Sequence, residues 1–172
     1  MFEKVDFKSV QNIALEKLGK EGALLLVGNK EEHNNMTIGW ATSGILWSKP
    51  VVISYVKPTR YTYSFCNKFD TFTICYFDNQ NEVLKVCGTK SGRNVNKDEL
   101  CNLHVVELDG EIAYEEASLV ITARKIYQDD FKKDNFHFDI KSKTDFFFRP
   151  STFCLIASHC SKTFSALFCE PS

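Results

Sequence analysis

The stretch "ALLLVGNKEEHNNMTIGWAT", Ala23 to Thr42, places two apolar, β-prone runs on either side of the charged residues KEEHN. Two such runs joined by a short polar connection read as a β-hairpin. The second run continues to Pro50 as "NNMTIGWATSGILWSKP", where Asn34, Thr37, Thr42 and Ser43 punctuate an apolar strand that carries Trp40 and Trp47. Polar groups on a strand that would otherwise be core need hydrogen-bond partners. A planar polar ring would supply them, because its edge takes amide and hydroxyl bonds while its face takes apolar contact. A barrel strand with one wetted face accounts for the same pattern.

Upstream, Phe7, Val10, Ile13, Ala14 and Leu18 recur at helical spacing, with Asp6 placed to cap the helix and Gly19 to end it. Downstream, "VVISYV" after Pro50 is a third strand, and "RYTYSFCNK" starts a short helix before the strand "TFTICYF". "NQNEVLKVCG" has a helical pattern that stops at Gly88. "NLHVVELDG", "EIAYEE" and "SLVITARKIYQ" are further strands. Many strands on short turns with few helices predict a mainly β protein with α decoration, an antiparallel barrel instead of a parallel α/β sheet. Residues 131–172 differ: phenylalanine crowds them, including the run Phe146 to Phe148, and no clean period emerges. They are expected to form an atypical C-terminal segment, less tightly tied to the barrel, within a single domain spanning 1–172.

With 172 residues, 44% of them hydrophobic, the chain has apolar material for one sizeable core. The formal charge is −1 with acids and bases interspersed, which excludes the broad basic field used to bind nucleic acid. No apolar signal segment opens the chain and no run is long enough to span a bilayer, so a soluble, cytoplasmic protein is expected. Seven cysteines without a secretion signal predict reduced thiols, and their scattered pairing with four histidines predicts no metal site. Neither HExxH, a Walker loop, a GxGxxG fingerprint nor a nucleophile motif occurs.

Two basic stretches remain. "GTKSGRNVNK", Gly88 to Lys97, sets two glycines and a serine among cations, and "KPTRYT", Lys57 to Thr62, puts a cation and hydroxyls at a strand end. Small residues allow close backbone approach and cations favour an anion such as phosphate. A solvated connection and a simple proline turn fit the same residues.

Taken together, "NNMTIGWAT", "KPTRYTY", "SGRNVNK" and "EEASLVITARKIY" resemble the flavin reductase-like family of FMN-binding split β-barrels, over roughly Gly22 to Tyr127. The resemblance implies a homodimer built on a six-stranded antiparallel barrel, with FMN near the subunit interface. It implies that Asn34, Met36, Thr37, Ile38, Gly39 and Trp40 line the flavin ring. Arg60, Tyr61 and Thr62 would meet the phosphate from one side, and Ser91, Gly92, Arg93 and Lys97 from the other. Two departures stand out. Asn94 and Asn96 replace the aspartates common in the family, and "STFCLIASHCSKTF" lacks the family's closing Tyr, Gly and Glu pattern.

The implied activity is FMN-based oxidoreduction of the flavin reductase type, with no side chain acting as a catalytic acid or base. Electrons would pass from NADH, NADPH or a protein donor to a small-molecule or protein acceptor. The alternatives are an FMN-binding electron carrier without its own NAD(P)H reductase activity, and a flavin-free interaction barrel.

Overall fold

The structure, a computed structural model, describes residues 2–132, 135, 154–159 and 166–169; the Phe146 to Phe148 run and Cys160 lie outside them. Strand β1 (Phe2–Val5) precedes helix α1 (Phe7–Lys20), whose residues Val10, Ala14 and Leu18 are buried as their spacing predicts. Ile13, placed on the same face by the sequence reading, is instead 39% exposed. The helix runs through Gly19 and is ended by Gly22 at φ +89°, whose N–H donates to the carbonyls of Lys17 and Leu18.

The opening hairpin forms as expected. β2 (Ala23–Gly28) pairs antiparallel with β3 (His33–Ile38), from Ala23 opposite Ile38 to Gly28 opposite His33. Asn29 shapes the turn by accepting the N–H groups of Glu31 and Glu32 on its side-chain oxygen, at 3.0 and 2.8 Å. The single long strand read through Gly39 and Trp40 is interrupted there. β4 (Ala41–Leu46) begins after these two residues and makes its own hairpin with β5 (Lys49–Val56), turning on Trp47 and Ser48 at φ 50° and 59°. Positive φ at both central residues is what a two-residue hairpin of primed type requires.

Helix α2 (Tyr61–Lys68) leads to β6 (Thr71–Tyr76), followed by α3 (Asn81–Thr89) and the short α4 (Lys97–Cys101). Gly88, expected to end α3, lies inside it. A small hairpin of β7 (Val105–Leu108) and β8 (Glu111–Tyr114) precedes the twelve-residue β9 (Leu119–Asp130), then β10 (Cys154–His159) and β11 (Ala166–Cys169).

The main sheet is antiparallel, in the order β3-β2-β6-β9-β10-β5-β4, with β11 pairing both β9 and β1. Its two end strands, β3 and β4, are joined by only Gly39 and Trp40, so the sheet must curl back on itself. Among the described residues β3 and β4 do not pair, and hydrogen bonding does not close the sheet into a barrel.

Within the C-terminal segment the described residues pair with the sheet: β10 lies between β9 and β5, and β11 lies between β1 and β9. The reason lies in β9: β6 occupies one edge from Leu119 to Arg124, while β10 meets Arg124 to Asp130 and supplies partners to backbone that would otherwise lack them. A register shift at Ala157/Ser158 leaves Ile126 as the extra residue of a bulge.

Two cores form on opposite faces of β2. Leu25 and Val27 pack with Met36, Ile38, Val56, Ile74 and Ile121 beneath α1, whereas Leu24 and Leu26 pack with Phe77, Leu84, Leu103 and Tyr114 beneath α3 and β8. Covering both faces explains why the run ALLLVG is uniformly apolar and completely buried.

Candidate functional site

β3 is an edge strand, so one row of its backbone groups faces away from the sheet. Alternation sends Asn34, Met36 and Ile38 to one face and His33, Asn35 and Thr37 to the other. Along this strand lie three neighbouring cavities. A cleft of about 430 Å³ is lined by Met36 to Trp40 with Tyr55, Lys57, Thr59 and Arg60. A small cavity of about 80 Å³ follows, sharing Met36, Thr59 and Arg60 and adding Thr62, Lys90, Ser91 and Lys97. A third, of about 580 Å³, shares Asn34, Tyr61, Gly92 and Lys97 with the small one and extends past His33, Arg93 and Asp98.

Charge is sorted among them. Among the described residues no acidic side chain lines the cleft or the small cavity, whereas Arg60, Lys90 and Lys97 line the small one. Among the described residues no carboxylate is ion-paired with these three. Lys97 is only 6% exposed; its ammonium donates to the carbonyls of Asn35 at 2.5 Å and Cys87 at 3.2 Å. Burial holds its pKa below the ordinary lysine value, and the nearby Arg60 pushes the same way. Arg60 donates to the Gly88 carbonyl at 2.7 Å, and the first turn of α2 begins directly after it. Unpaired cations beside helix N–H groups make a site for an anion.

The glycines of "GTKSGRNVNK" serve packing. A Cβ on Gly88 would lie 3.2 Å from the Thr37 Cβ, so its absence lets α3 sit on β3, where the Thr37 hydroxyl donates to the Leu84 carbonyl. A Cβ on Gly92 would lie 1.9 Å from the Asn34 Oδ1. That close approach leaves Asn34 free to donate to Thr62 Oγ1 at 2.7 Å and to the Asn35 carbonyl at 3.0 Å.

α4 is tied to β3 by a half-buried network that the sequence reading did not contain. Asp98 accepts from His33 Nε2 at 2.6 Å, Tyr114 OH at 2.6 Å and Asn35 Nδ2 at 3.0 Å. His33 Nδ1 faces the Asn29 carbonyl at 3.0 Å, so both ring nitrogens meet oxygen acceptors, an arrangement that favours the protonated ring. The bond to Asp98 raises the His33 pKa. Burial pushes the Asp98 pKa up, yet the bonds from His33, Tyr114 and Asn35 together hold it below the ordinary value. Anchoring Asp98 in this way positions its neighbour Lys97 against the edge of β3.

The structure thus brings Asn34, Met36, Arg60, Tyr61, Thr62, Ser91, Gly92 and Lys97 to the small cavity, and Met36, Thr37, Ile38, Gly39 and Trp40 to the cleft. Arg93 stands apart: its guanidinium lies over the Tyr61 ring, 4.8 Å from the centroid, and lines the largest cavity instead. Sequence reasoning missed Lys90 and Thr59 in the small cavity, and Tyr55 and Lys57 in the cleft. Lys57, Thr59 and Lys90 lie inside the two basic stretches already singled out; Tyr55 carried no local signal. Among the described residues, His104, Glu115 and Glu116 group three metal-ligand side chains, but His104 is already held by Glu116 at 2.5 Å.

Compared by sequence, the chain matches no family model and no curated protein. Compared by structure, it is similar to flavoredoxin from Methanosarcina acetivorans, with a TM-score of 0.64, 18% identity, and coverage of 84% of this chain and 68% of that one. An FMN-binding domain of a flavin reductases-like enzyme from Shewanella baltica OS155 gives 0.66 at 14% identity, covering 98% and 77%. An FMN-binding protein from Thermus thermophilus, solved with 1-cyclohex-2-enone bound, gives 0.63 at 16% identity, covering 84% and 69%. The fold is that of the flavin reductase-like, FMN-binding proteins.

Proposed function

We propose that this chain is an FMN-binding oxidoreductase of the flavin reductase type, built on a split β-barrel whose seam runs between β3 and β4. One observation carries the reading. Among the described residues, three cations without ion-paired carboxylates converge on a small cavity, and it adjoins a cleft lined by Met36 to Trp40 and no acidic side chain. A phosphate suits the first and a flavin ring the second. The similarity to FMN-binding structures supports the same assignment.

In this reading Arg60, Lys90 and Lys97 hold the phosphate, with the Thr59, Thr62 and Ser91 hydroxyls beside them. The buried Met36 and Ile38 side chains and the Gly39 backbone bound the ring. FMN, when bound, supplies the electron-transfer chemistry. The protein's own part is to bind and orient it, and to keep carboxylates away from the phosphate. Electrons would come from NADH, NADPH or a protein donor and leave to a small-molecule or protein acceptor.

A homodimer belongs to the same proposal. The tip of the β4–β5 hairpin leaves Ile45 and Trp47 61% and 80% exposed, an apolar surface that a second copy would cover. Light scattering on the purified protein, with and without Trp47→Lys, measures this; a monomer that binds FMN tightly removes the dimer from the proposal.

The test of function begins with an absorption spectrum of the protein reconstituted with FMN. Failure to bind FMN refutes the reading. Anaerobic mixing with NADH and then NADPH follows. Bleaching of the flavin band supports a reductase, and an unchanged band identifies a carrier that receives electrons from another protein.

A further inference from the structure

We propose that Cys87 and Cys101 are a thiol pair that hydrogen peroxide converts to a reversible disulfide, loosening the phosphate pocket beside it. The bond itself stands apart from the flavin reading; its consequence for FMN rests on that reading. Cys87 lies in α3 and Cys101 ends α4, and their sulfurs already meet at 3.9 Å. A disulfide holds its sulfurs about 2.05 Å apart, so closure takes a movement of roughly 2 Å. Cys87 is 1% exposed and packed among Leu84 and Leu103, whereas Cys101 is only partly buried at the edge of that core. The movement therefore falls to the Cys101 end of α4, a helix of five residues.

Cys87 belongs to the small cavity as well as to the core. It lines the cavity together with Lys97, and its carbonyl accepts from the Lys97 ammonium at 3.2 Å. Lys97 and Cys101 are four residues apart, on one face of α4. Both meet Cys87, one at its carbonyl and the other at its sulfur. Drawing Cys101 toward Cys87 tilts the turn that carries Lys97, and a cation placed for a phosphate in the dithiol form loses that placement in the disulfide.

Of the two sulfurs, the less buried Cys101 is the one that peroxide reaches first. Its thiolate attacks one peroxide oxygen; an S–O bond forms, the O–O bond breaks, and hydroxide leaves as water with the proton that the thiol gave up. Cys101 becomes a sulfenic acid. Burial and the neighbouring Cys101 thiol hold the Cys87 thiol up to about 12, while the Lys97 ammonium favours its thiolate. A neutral sulfenic acid removes the charge repulsion from Cys101, and the Cys87 sulfur then attacks the Cys101 sulfur. The S–S bond forms, the S–O bond breaks, and the departing hydroxide takes the Cys87 proton as a second water. Two thiols thus lose two electrons, and one peroxide is reduced to two waters.

The test treats the full chain with hydrogen peroxide at neutral pH, blocks the remaining thiols by alkylation and maps the peptides by mass. A Cys87–Cys101 crosslink that dithiothreitol removes is expected. In Cys87→Ala, dimedone should instead trap the sulfenic acid on Cys101, and in Cys101→Ser no crosslink to Cys87 should form; circular dichroism checks both folds. The FMN dissociation constant should rise roughly three- to tenfold in crosslinked wild type, return with dithiothreitol, and stay unchanged through the same treatment in Cys101→Ser. Riboflavin affinity should not move. Oxidation of Met36 is told apart because dithiothreitol leaves a methionine sulfoxide in place. Absence of the crosslink, or a crosslink from Cys87 to another cysteine, overturns the proposal, as does an FMN affinity that ignores the fully formed bond. If FMN binds neither form, the flavin reading fails and the mapped bond still decides the thiol pair.

Discussion

Replacing Lys97 by methionine tests whether buried cations hold a phosphate. Lys97 is 6% exposed, so a charge-assisted bond from it is made away from competing water. Such a bond contributes about 1.5–3 kcal/mol, and FMN affinity should fall by roughly ten- to a hundredfold. Lys90 lines the same cavity but is solvent-exposed, where an ionic contact contributes about 0.2–1 kcal/mol; Lys90→Ala should cost up to about fivefold. Riboflavin lacks the phosphate and should lose little in either variant. Titrating both ligands by flavin fluorescence at low and high salt separates the contributions, because the exposed Lys90 contact is screened far more than the buried Lys97 contact. Lys97→Met also removes a donor from two carbonyls, though the Asn35 carbonyl keeps Asn34 and Thr62, so circular dichroism should confirm a native fold. Equal losses for FMN and riboflavin, or none for either, refute the phosphate assignment.

Gly92→Ala forces its Cβ onto the Asn34 side chain and should cost about 1–3 kcal/mol in urea unfolding by displacing the Asn34–Thr62 bond; an unchanged midpoint contradicts the packing role. The His33–Asp98 pair should make stability pH-dependent. The raised His33 pKa contributes stability that is complete below its unfolded value and is lost as pH rises through the folded one. The lowered Asp98 pKa contributes above its unfolded value and is lost as pH falls through the folded one. His33→Asn should therefore lower the melting temperature most in mildly acidic buffer, by about 1.5 kcal/mol in stability, and least in alkaline buffer; a pH-independent difference refutes the imidazolium. Truncation before Cys154 removes β10 from between β9 and β5 and should give an unfolded or insoluble chain, which circular dichroism or sedimentation reveals. Burial pushes the Cys75 and Cys87 thiols up to about 12, so alkylation of the native protein near about pH 8 should spare both and reach the more accessible Cys101 before them, as peptide mass mapping would show.

Local patterns made much of this protein legible. Alternation and turn chemistry marked the β2–β3 hairpin, helical spacing marked α1, α2 and α3, and cations flanked by glycines marked the loop that borders the small cavity. Those signals depend on neighbours in sequence, and every residue within a few positions contributes to them. The C-terminal segment resisted the same reading because the place of its strands depends on the open edge of a β9 distant in sequence. Tertiary structure alone decided which loop residues face which cavity. Lys97 and Arg93 are four apart in a basic loop, yet α4, anchored through Asp98 to His33 and Tyr114, turns one into the small cavity, while the ring of Tyr61 holds the other over the large one. Gly88 and Gly92 likewise marked a close approach in sequence, but only the packed fold shows that what approaches is Thr37 and Asn34 of β3, because that contact joins residues more than fifty positions apart.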